Sequence, residues 1–191
     1  MAKKLVVGIS GASGISLAIE MLKQLRTIDG IEAHLVYSRS SELILTQETG
    51  LPVADLEALA DSVYACEDYG ASIASGSFQT MGMVIIPCSM KTLAGIVGGY
   101  CENLLLRAAD VTLKEQRKLV IVPRECPFSR IHLRNLYELS RLGGVVIPPV
   151  PAYYNHPVSI DDVNKHIVGK VFDQFKIESR LVKPWNGLRK K

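Results

Sequence analysis

The sequence has few of the residues that form metal and disulfide sites. Its 191 residues include four cysteines and four histidines. The cysteines contain no CxxC pair, and the histidines show neither HxxxH nor HExxH spacing. A chain of this size does not need disulfides to fold, so we expect reduced thiols and no metal site.

Long apolar runs and a strong excess of one charge are also missing. The apolar run that follows Lys4 is too short for a signal-peptide core or a membrane span. The formal net charge is +3, and the basic residues are spread along the chain except at 189–191. We therefore expect no membrane partner, no nucleic-acid partner and a cytoplasmic location.

What the sequence does contain is an alternation of apolar, strand-like segments with amphipathic helical ones. Since 48% of the residues are hydrophobic, the chain can bury one substantial core, which predicts a single domain over residues 1–191. The alternation predicts an α/β fold of the Rossmann-like, three-layer type, in which helices cover both faces of a mostly parallel sheet. Residues 69–80 are rich in Ser, Gly and Ala and predict a loop. The predicted strands are 5–10, 31–37, 83–88, 118–122 and 144–148, and the predicted helices are 15–26, 39–49 with Ser38 as its N-cap, 52–60, 92–97, 102–115, 129–142 and 160–175.

Three of the predicted strands end in short polar or glycine-rich segments. The first strand leads into Gly11-Ala12-Ser13-Gly14, the third into Ser89-Met90-Lys91-Thr92, and the fourth into Arg124-Glu125. Open α/β sheets bind ligands outside the carboxyl ends of their strands, where amides, hydroxyls and basic side chains can hold a phosphate. These segments together predict a phosphorylated ligand.

The end of the second strand indicates which nucleotide this ligand resembles. Ser38-Arg39 stands there in place of an acidic residue, and the first loop lacks the GxGxxG spacing. A nicotinamide dinucleotide site is therefore disfavoured. A hydroxyl beside an arginine suits the phosphate of FMN better than a ribose diol.

Several polar and aromatic residues have a structural interpretation beside the functional one. Arg107, Asp110 and Lys114 share one helix face, where they form either a solvated stripe with an Asp110–Lys114 pair or part of an anion site. Arg124 either pairs with Glu125 at the strand exit or directs its guanidinium at the ligand. Two aromatic residues serve either in packing or in stabilising a developing cation, namely Tyr154 and Trp185.

With these residues in view, the chain resembles the UbiX family of flavin prenyltransferases, including its small members associated with hydroxyarylic acid decarboxylases. The resemblance extends over nearly the whole chain, from the Gly8–Gly14 loop to Trp185. The motifs that carry it most strongly are Ala74-Ser75-Gly76-Ser77, the segments 87–95 and 107–115, Val122-Pro123-Arg124-Glu125, and the segment 149–154.

The resemblance implies two sets of ligand contacts and a catalytic set. FMN would bind through the first loop, the end of the second strand, the segment after the third strand and one arginine, that is, Gly11, Ala12, Ser13, Ser38, Ser89, Met90, Lys91, Thr92 and Arg124. The prenyl donor would contact Ser75, Arg107, Lys114, Tyr154, Lys170 and Trp185, with Arg124 also near its phosphate. The implied catalytic residues are Ser13, Glu48, Lys114, Arg124 and Glu125.

The resemblance also implies a reaction. Family members join the dimethylallyl group of dimethylallyl phosphate to N5 and C6 of reduced FMN and release phosphate without a metal. The product, prenylated FMN, is the cofactor of UbiD-type decarboxylases. Neighbouring subunits complete the site in the family, so we expect a closed homo-oligomer such as a dodecamer.

One residue departs from the family. Arginine is usual where Lys170 stands, so the charge is retained while bidentate recognition of a phosphate is lost.

Two other functions stay open. The first alternative is an FMN-dependent decarboxylase that acts directly on a carboxylated small molecule. The second is a non-catalytic flavin-binding subunit of a hydroxyarylic acid decarboxylase complex. The sequence does not decide between dimethylallyl phosphate and the pyrophosphate as donor.

Overall fold

The computed structural model describes residues 2–182 and 187 and consists of one sheet with helices on both sides. Trp185, a predicted ligand contact, lies outside the described residues. The strands are β1 (Lys3–Ile9), β2 (Ile31–Tyr37), β3 (Ser62–Tyr64), β4 (Gly82–Cys88), β5 (Lys118–Pro123) and β6 (Val145–Val146). The helices are α1 (Ile15–Leu25), α2 (Arg39–Thr49), α3 (Val53–Glu57), α4 (Met90–Val97), α5 (Leu104–Lys114), α6 (Arg130–Arg141) and α7 (Ile160–Gln174), with single 3₁₀ turns at Ser72–Ala74 and Tyr153–Asn155.

The order of the strands creates a crevice at one edge of the sheet. The spatial order is β3-β2-β1-β4-β5-β6, and every neighbouring pair is parallel. Chain connections therefore run in opposite directions from β1, toward β2 on one side and toward β4 on the other. Ligands of open α/β sheets bind at such a switch point, outside the carboxyl ends of the strands. The predicted parallel sheet and its covering by helices are confirmed.

The core has two layers, one on each face of the sheet. Side chains alternate across β1, so that Leu5 and Val7 face one layer and Val6 faces the other. The first layer also contains Leu22 of α1 and Phe172 of α7, both fully buried. The second layer packs the other face against α4 and α5. Burial on both faces is the reason that the central strands have near-continuous apolar sequences.

Side-chain caps explain where two helices begin. The Asn103 side chain accepts a hydrogen bond of 2.9 Å from the Leu106 N–H, so α5 begins at Leu104, two residues later than predicted. Ser89 accepts from the Thr92 N–H in the same way, and α4 begins at Met90, two residues earlier than predicted. The first polar residue after β4 is thus already the cap of a helix.

The two outer strands of the sheet, β3 and β6, differ from the prediction. β3 is a strand of three residues beside β2 that the sequence pattern did not reveal, because so short an edge strand has no readable alternation. The predicted strand 144–148 is reduced to Val145–Val146. The predicted loop 69–80 includes the 3₁₀ turn Ser72–Ala74.

Among the described residues, no helix combines the length and apolar character needed to cross a bilayer.

Candidate functional site

The crevice at the switch point is held together by Ser10, a residue that the sequence analysis did not single out. Its hydroxyl donates to the Pro87 carbonyl at 3.2 Å and accepts from the Ser89 N–H at 2.7 Å. Ser10 is almost completely buried. It therefore fixes the end of β1 against the end of β4, and its signal in the sequence is a hydroxyl between an apolar strand and Gly11.

Glu48 caps the amino end of α1 with its side-chain carboxylate. Gly14 precedes that helix in the left-handed conformation, with φ of 105°, and offers no side chain as a cap. The carboxylate of Glu48 on α2 accepts from the Gly14 N–H at 3.0 and 3.1 Å and from the Ile15 N–H at 3.0 Å. An anion at this position is favoured by the helix dipole and satisfies two amides that lack partners inside the helix.

The surroundings of Glu48 keep it ionised at neutral pH. Partial burial raises the pKa of this carboxyl, but opposing effects outweigh it and the net pKa lies below the ordinary value. Those effects are hydrogen bonds from the Ser13 side chain and from the Gly14 and Ile15 amides, together with the positive charge of Arg124. Glu48 is thus a charged carboxylate that accepts hydrogen bonds within the crevice.

Arg124 reaches the same place from β5. Its backbone N–H donates to the Cys88 carbonyl at 3.1 Å, and its Nε donates to the Ser13 carbonyl at 3.3 Å. Glu125 does not bind this guanidinium but accepts from the Cys126 N–H at 3.1 Å. The structural interpretation, an Arg124–Glu125 pair at the strand exit, is therefore wrong, and the role of Arg124 in ligand binding stays a prediction. It lines a cleft of about 630 Å³ together with Gly11, Ser13 and Glu48.

Hydroxyl groups surround the rest of this crevice. Ser38 and Ser40 place their Oγ atoms 3.0 Å apart, beside Gly11. A Cβ on Gly11 would lie 2.2 Å from the Ser40 Oγ, so only glycine allows this approach. On the other side, Ser89 donates to Thr92 Oγ1 at 3.1 Å. We call the set Gly11–Ser13, Ser38, Glu48, Ser89 and Arg124 the strand-end crevice.

Two residues of the predicted FMN set, Lys91 and Met90, make their contacts outside the strand-end crevice. The Lys91 ammonium lies 3.2 Å from the Glu102 carboxylate, and the lysine side chain is 85% exposed. Met90 is partly buried and packs against the core layer of α4 and α5. Lys91 can move to an anion only by leaving Glu102.

A second group of predicted residues lies along α5. Arg107 forms an ion pair with Asp110 at 2.9 Å, and Lys114 pairs with Glu115 at 2.5 Å, so the Asp110–Lys114 pair of the structural interpretation does not form. Arg107 Nε also donates to the Ala74 carbonyl at 3.3 Å. Residues 74–78, including Ser75, thus lie against this helix. We call Arg107, Lys114, Glu115, Arg117 and residues 74–78 the α5 cluster.

Within one chain, the strand-end crevice lies at the carboxyl ends of the strands, whereas Lys114 of the α5 cluster lies near their amino ends. Lys114 ends α5 four residues before β5 begins, whereas Arg124 follows the last residue of β5. The six residues of β5 span roughly 20 Å at about 3.3 Å per residue. A single chain therefore does not bring Lys114 to Arg124.

A third group lies on α7. The Lys170 ammonium forms an ion pair of 2.7 Å with Asp173, and both side chains are about half exposed. The ring of Tyr154 packs edge-on against His166 at 6.4 Å between centroids. Partial burial and the charge of Lys170 hold the pKa of His166 below its ordinary value. Tyr154 and Lys170 thus share one side of the molecule, near His166.

No three His, Cys, Asp or Glu side chains in the described part of the chain are placed to hold a metal ion. The side-chain donors at the strand-end crevice are hydroxyls and a guanidinium, and the backbone amides at the start of α1 are bound to Glu48. That chemistry suits a phosphate and a flavin ring.

Comparisons with known proteins decide the family. The sequence model of the flavoprotein family matches residues 1–172. Flavin prenyltransferase LpdB of Lactiplantibacillus plantarum is 53% identical over 185 residues, which cover 97% of this chain and 99% of that protein. The chain belongs to the flavoprotein family, among the UbiX-like flavin prenyltransferases.

Solved UbiX-like structures share the fold over nearly the whole chain. A dodecameric FMN-dependent UbiX-like decarboxylase from Escherichia coli O157:H7 is 50% identical, with a TM-score of 0.94 over 96% of this chain and 100% of its own. AnUbiX (PadA1), solved in complex with FMN and dimethylallyl pyrophosphate, is 44% identical, with a TM-score of 0.96 over 99% of this chain and 100% of its own. The fold expected from the UbiX-like pattern of motifs is therefore confirmed.

Proposed function

We propose that this UbiX-like protein transfers the dimethylallyl group of dimethylallyl phosphate to N5 and C6 of reduced FMN, giving prenylated FMN and phosphate. The observation that carries the proposal is the convergence of Ser13, Glu48 and Arg124 at the switch point of the sheet. The 53% identity to a flavin prenyltransferase over almost the full length supports it. Residues 1–191 would act as one flavin-binding domain.

FMN is the acceptor in this reaction, and the strand-end crevice fits it. Gly11 lets Ser40 approach the backbone, so that the hydroxyls of Ser38 and Ser40 lie beside the first loop, and Ser89 lies at the start of α4 on the other side. Arg124 can offer a planar fork of donors to a phosphate. Ala12, Met90, Lys91 and Thr92 complete the proposed FMN set.

The departure of an allylic phosphate places negative charge on oxygen and positive charge on carbon. Basic side chains that contact the leaving phosphate stabilise the first of these charges, and their effect grows as the bond breaks. We assign Arg107, Lys114, Arg124 and Lys170 to this task, with Ser75 and Tyr154 as further contacts. The electron-rich flavin and a site that excludes water stabilise the cationic carbon and protect it from hydrolysis.

Protons must move when the new ring closes. Glu48 is ionised and lies within hydrogen-bonding distance of the amides that follow Ser13. We assign Ser13 and Glu48 to these proton transfers, and Glu125 to the catalytic set on the same rim. Because its pKa lies below the usual range, Glu48 is in the carboxylate form at neutral pH, which is the form that a proton acceptor needs.

The separation of the α5 cluster from the strand-end crevice supports an oligomeric enzyme. The site needs Lys114 of one subunit to approach Arg124 of another, so the active protein would be a closed homo-oligomer. The dodecameric relative from Escherichia coli makes twelve subunits the specific expectation. The product would serve a UbiD-type decarboxylase, and the enzyme would act in the cytoplasm.

Mass spectrometry of the flavin tests the proposal. Wild-type protein incubated with reduced FMN and dimethylallyl phosphate should yield a flavin heavier by one prenyl group, also in the presence of EDTA. Dimethylallyl pyrophosphate, the ligand in the AnUbiX structure, is the matched second donor. Recovery of unmodified FMN alone with both donors would refute the transferase, and carbon dioxide release from a carboxylated aromatic acid would support the decarboxylase alternative.

A further inference from the structure

Arg117 binds the loop that carries two exposed serines. Its Nη1 donates to the Phe78 carbonyl at 2.8 Å, and its Nη2 donates to the Gly76 carbonyl at 2.6 Å. The two terminal nitrogens of a guanidinium are fixed in one plane. The two hydrogen bonds therefore also fix the positions of the two carbonyls relative to each other. The sequence analysis assigned no role to Arg117.

Arg117 is itself held firmly by the end of α5. Gln116 adopts the left-handed conformation with φ of 54° and donates to the Leu113 carbonyl at 2.9 Å. The Arg117 N–H donates to the Thr112 carbonyl, also at 2.9 Å. This pair of bonds forms a Schellman motif, which ends the helix and sets the direction in which the chain leaves it.

The opposite end of the same loop is bound by Arg107, through the 3.3 Å bond to the Ala74 carbonyl. Between the two arginines, the hydroxyls of Ser75 and Ser77 lie 2.9 Å apart, and both residues are exposed. Gly76 packs closely against the Lys114–Glu115 ion pair, because a Cβ there would meet the Glu115 carboxylate and would lie 2.9 Å from the Lys114 ammonium. The loop therefore presents two hydroxyls beside this pair, and Lys114 can bind an anion there when Glu115 turns away.

We propose that Arg117 is a positioning residue, which holds the hydroxyls of Ser75 and Ser77 next to Lys114 so that the three groups together bind the phosphate of the prenyl donor. The inference rests on the proposed function. Both terminal nitrogens of Arg117 donate to carbonyls of the loop, so we assign Arg117 to the position of the loop and not to contact with the donor. FMN affinity depends on the strand-end crevice, which lies at the opposite ends of the strands.

The first measurement is steady-state kinetics of prenyl transfer. Arg117→Ala should raise KM for dimethylallyl phosphate by about tenfold or more, with a smaller change in kcat, since misplaced binding groups weaken substrate affinity. Arg117→Lys should fall between that variant and wild type, because an ammonium keeps a donor but not the fork. FMN affinity should stay within about twofold of wild type, since no FMN contact is removed.

Arg26 provides a matched control. Its Nη1 donates to the Ala58 carbonyl at 2.9 Å, away from both groups of site residues. Arg26→Ala removes the same kind of arginine-to-carbonyl bond, and it should leave KM for dimethylallyl phosphate unchanged. A similar rise in both alanine variants would attribute the effect to general destabilisation and overturn the proposal.

A double-mutant cycle separates positioning from a purely structural role. If Arg117 acts through the two hydroxyls, Arg117→Ala should add no further rise in KM to a Ser75→Ala/Ser77→Ala variant. Amide hydrogen exchange of residues 74–80 should be faster in Arg117→Ala than in wild type or Arg26→Ala. Additive effects on KM, or unchanged exchange, would contradict the inference.

The proposed function and the role of Arg117 can fail separately. A wild-type protein without prenyl transfer would refute the function and the role that rests on it. An active wild type whose KM is unchanged by Arg117→Ala would refute the role of Arg117 alone.

Discussion

The strand-end crevice and the α5 cluster are both suited to anions, but they are built differently. At the crevice, parallel strands deliver Ser13, Ser89 and Arg124 to one edge, and Glu48 is fixed by backbone amides of α1. In the α5 cluster, arginines bind the carbonyls of an irregular loop. The first site depends on the geometry of the sheet, while the second depends on a few side chains. Mutations should therefore affect the two regions in different ways.

The largest effect should come from removing one basic group from either region. Arg124→Ala and Lys114→Ala should each lower kcat/KM for prenyl transfer by about 2–4 kcal/mol of transition-state stabilisation, because each removes a donor to the departing phosphate. Both variants should remain folded, since neither side chain is buried. Wild-type turnover in either variant would contradict its role.

Mixed oligomers of these two variants test whether the regions meet between subunits. When Arg124→Ala and Lys114→Ala chains are co-expressed, about a quarter of the sites in a randomly mixed oligomer should combine the two intact residues and regain activity. Each variant alone is the control. If the mixture is no more active than its components, the shared site is refuted.

A comparison of two glycines should give the next largest effect. A Cβ on Gly11 would lie 2.8 Å from the Ser40 Cβ, which cannot move without the backbone, so Gly11→Ala should cost about 1–3 kcal/mol and weaken FMN binding. Gly76→Ala would instead meet the Glu115 carboxylate at 2.1 Å, and that flexible side chain can turn away. Urea unfolding and flavin titration measure both variants. Equal losses in the two would remove the distinction between a rigid and an adaptable region.

Glu48→Gln should have a smaller effect, and one that depends on pH. Loss of the charged cap should cost about 1 kcal/mol at pH 7. Because the folded pKa is depressed, the contribution of the carboxylate is present above its ordinary pKa of 4.5 and is lost as pH falls through the folded value. Urea unfolding at pH 7 and pH 3 should therefore show the two proteins converging in acid. A constant difference across this range would assign the effect to packing.

The smallest effect should come from Lys170. Lys170→Ala should weaken dimethylallyl phosphate binding by about 0.5–1 kcal/mol with little effect on FMN, because an exposed ammonium contributes a point charge only. Lys170→Arg should keep activity and tighten donor binding, since it restores a fork of donors. Separate titrations with flavin and donor measure this. Equal donor affinity in wild type and Lys170→Ala would make the Lys170–Asp173 pair a surface ion pair without a role in binding.

Much of the fold could be predicted because periodicity is a local property. The apolar runs of β1, β4 and β5 and the helical pattern of α5 indicated a parallel sheet covered on both faces, and the structure confirms it. The missed strand β3 has three residues at an edge, where burial is low and the pattern disappears. The strand β6, at the other edge, is shorter than its apolar sequence predicted.

The sequence by itself determined which residues follow the strands, because polar and glycine-rich segments after apolar runs must lie at the carboxyl edge of a parallel sheet. It could not show that Lys114 lies on the opposite edge, that Glu48 closes α1, or that Arg117 binds residues 76 and 78. The contacts of Glu48 and Arg117 join residues 33 to 41 positions apart in the chain. Only tertiary packing brings such residues together, because the path between them depends on every turn and crossover that intervenes.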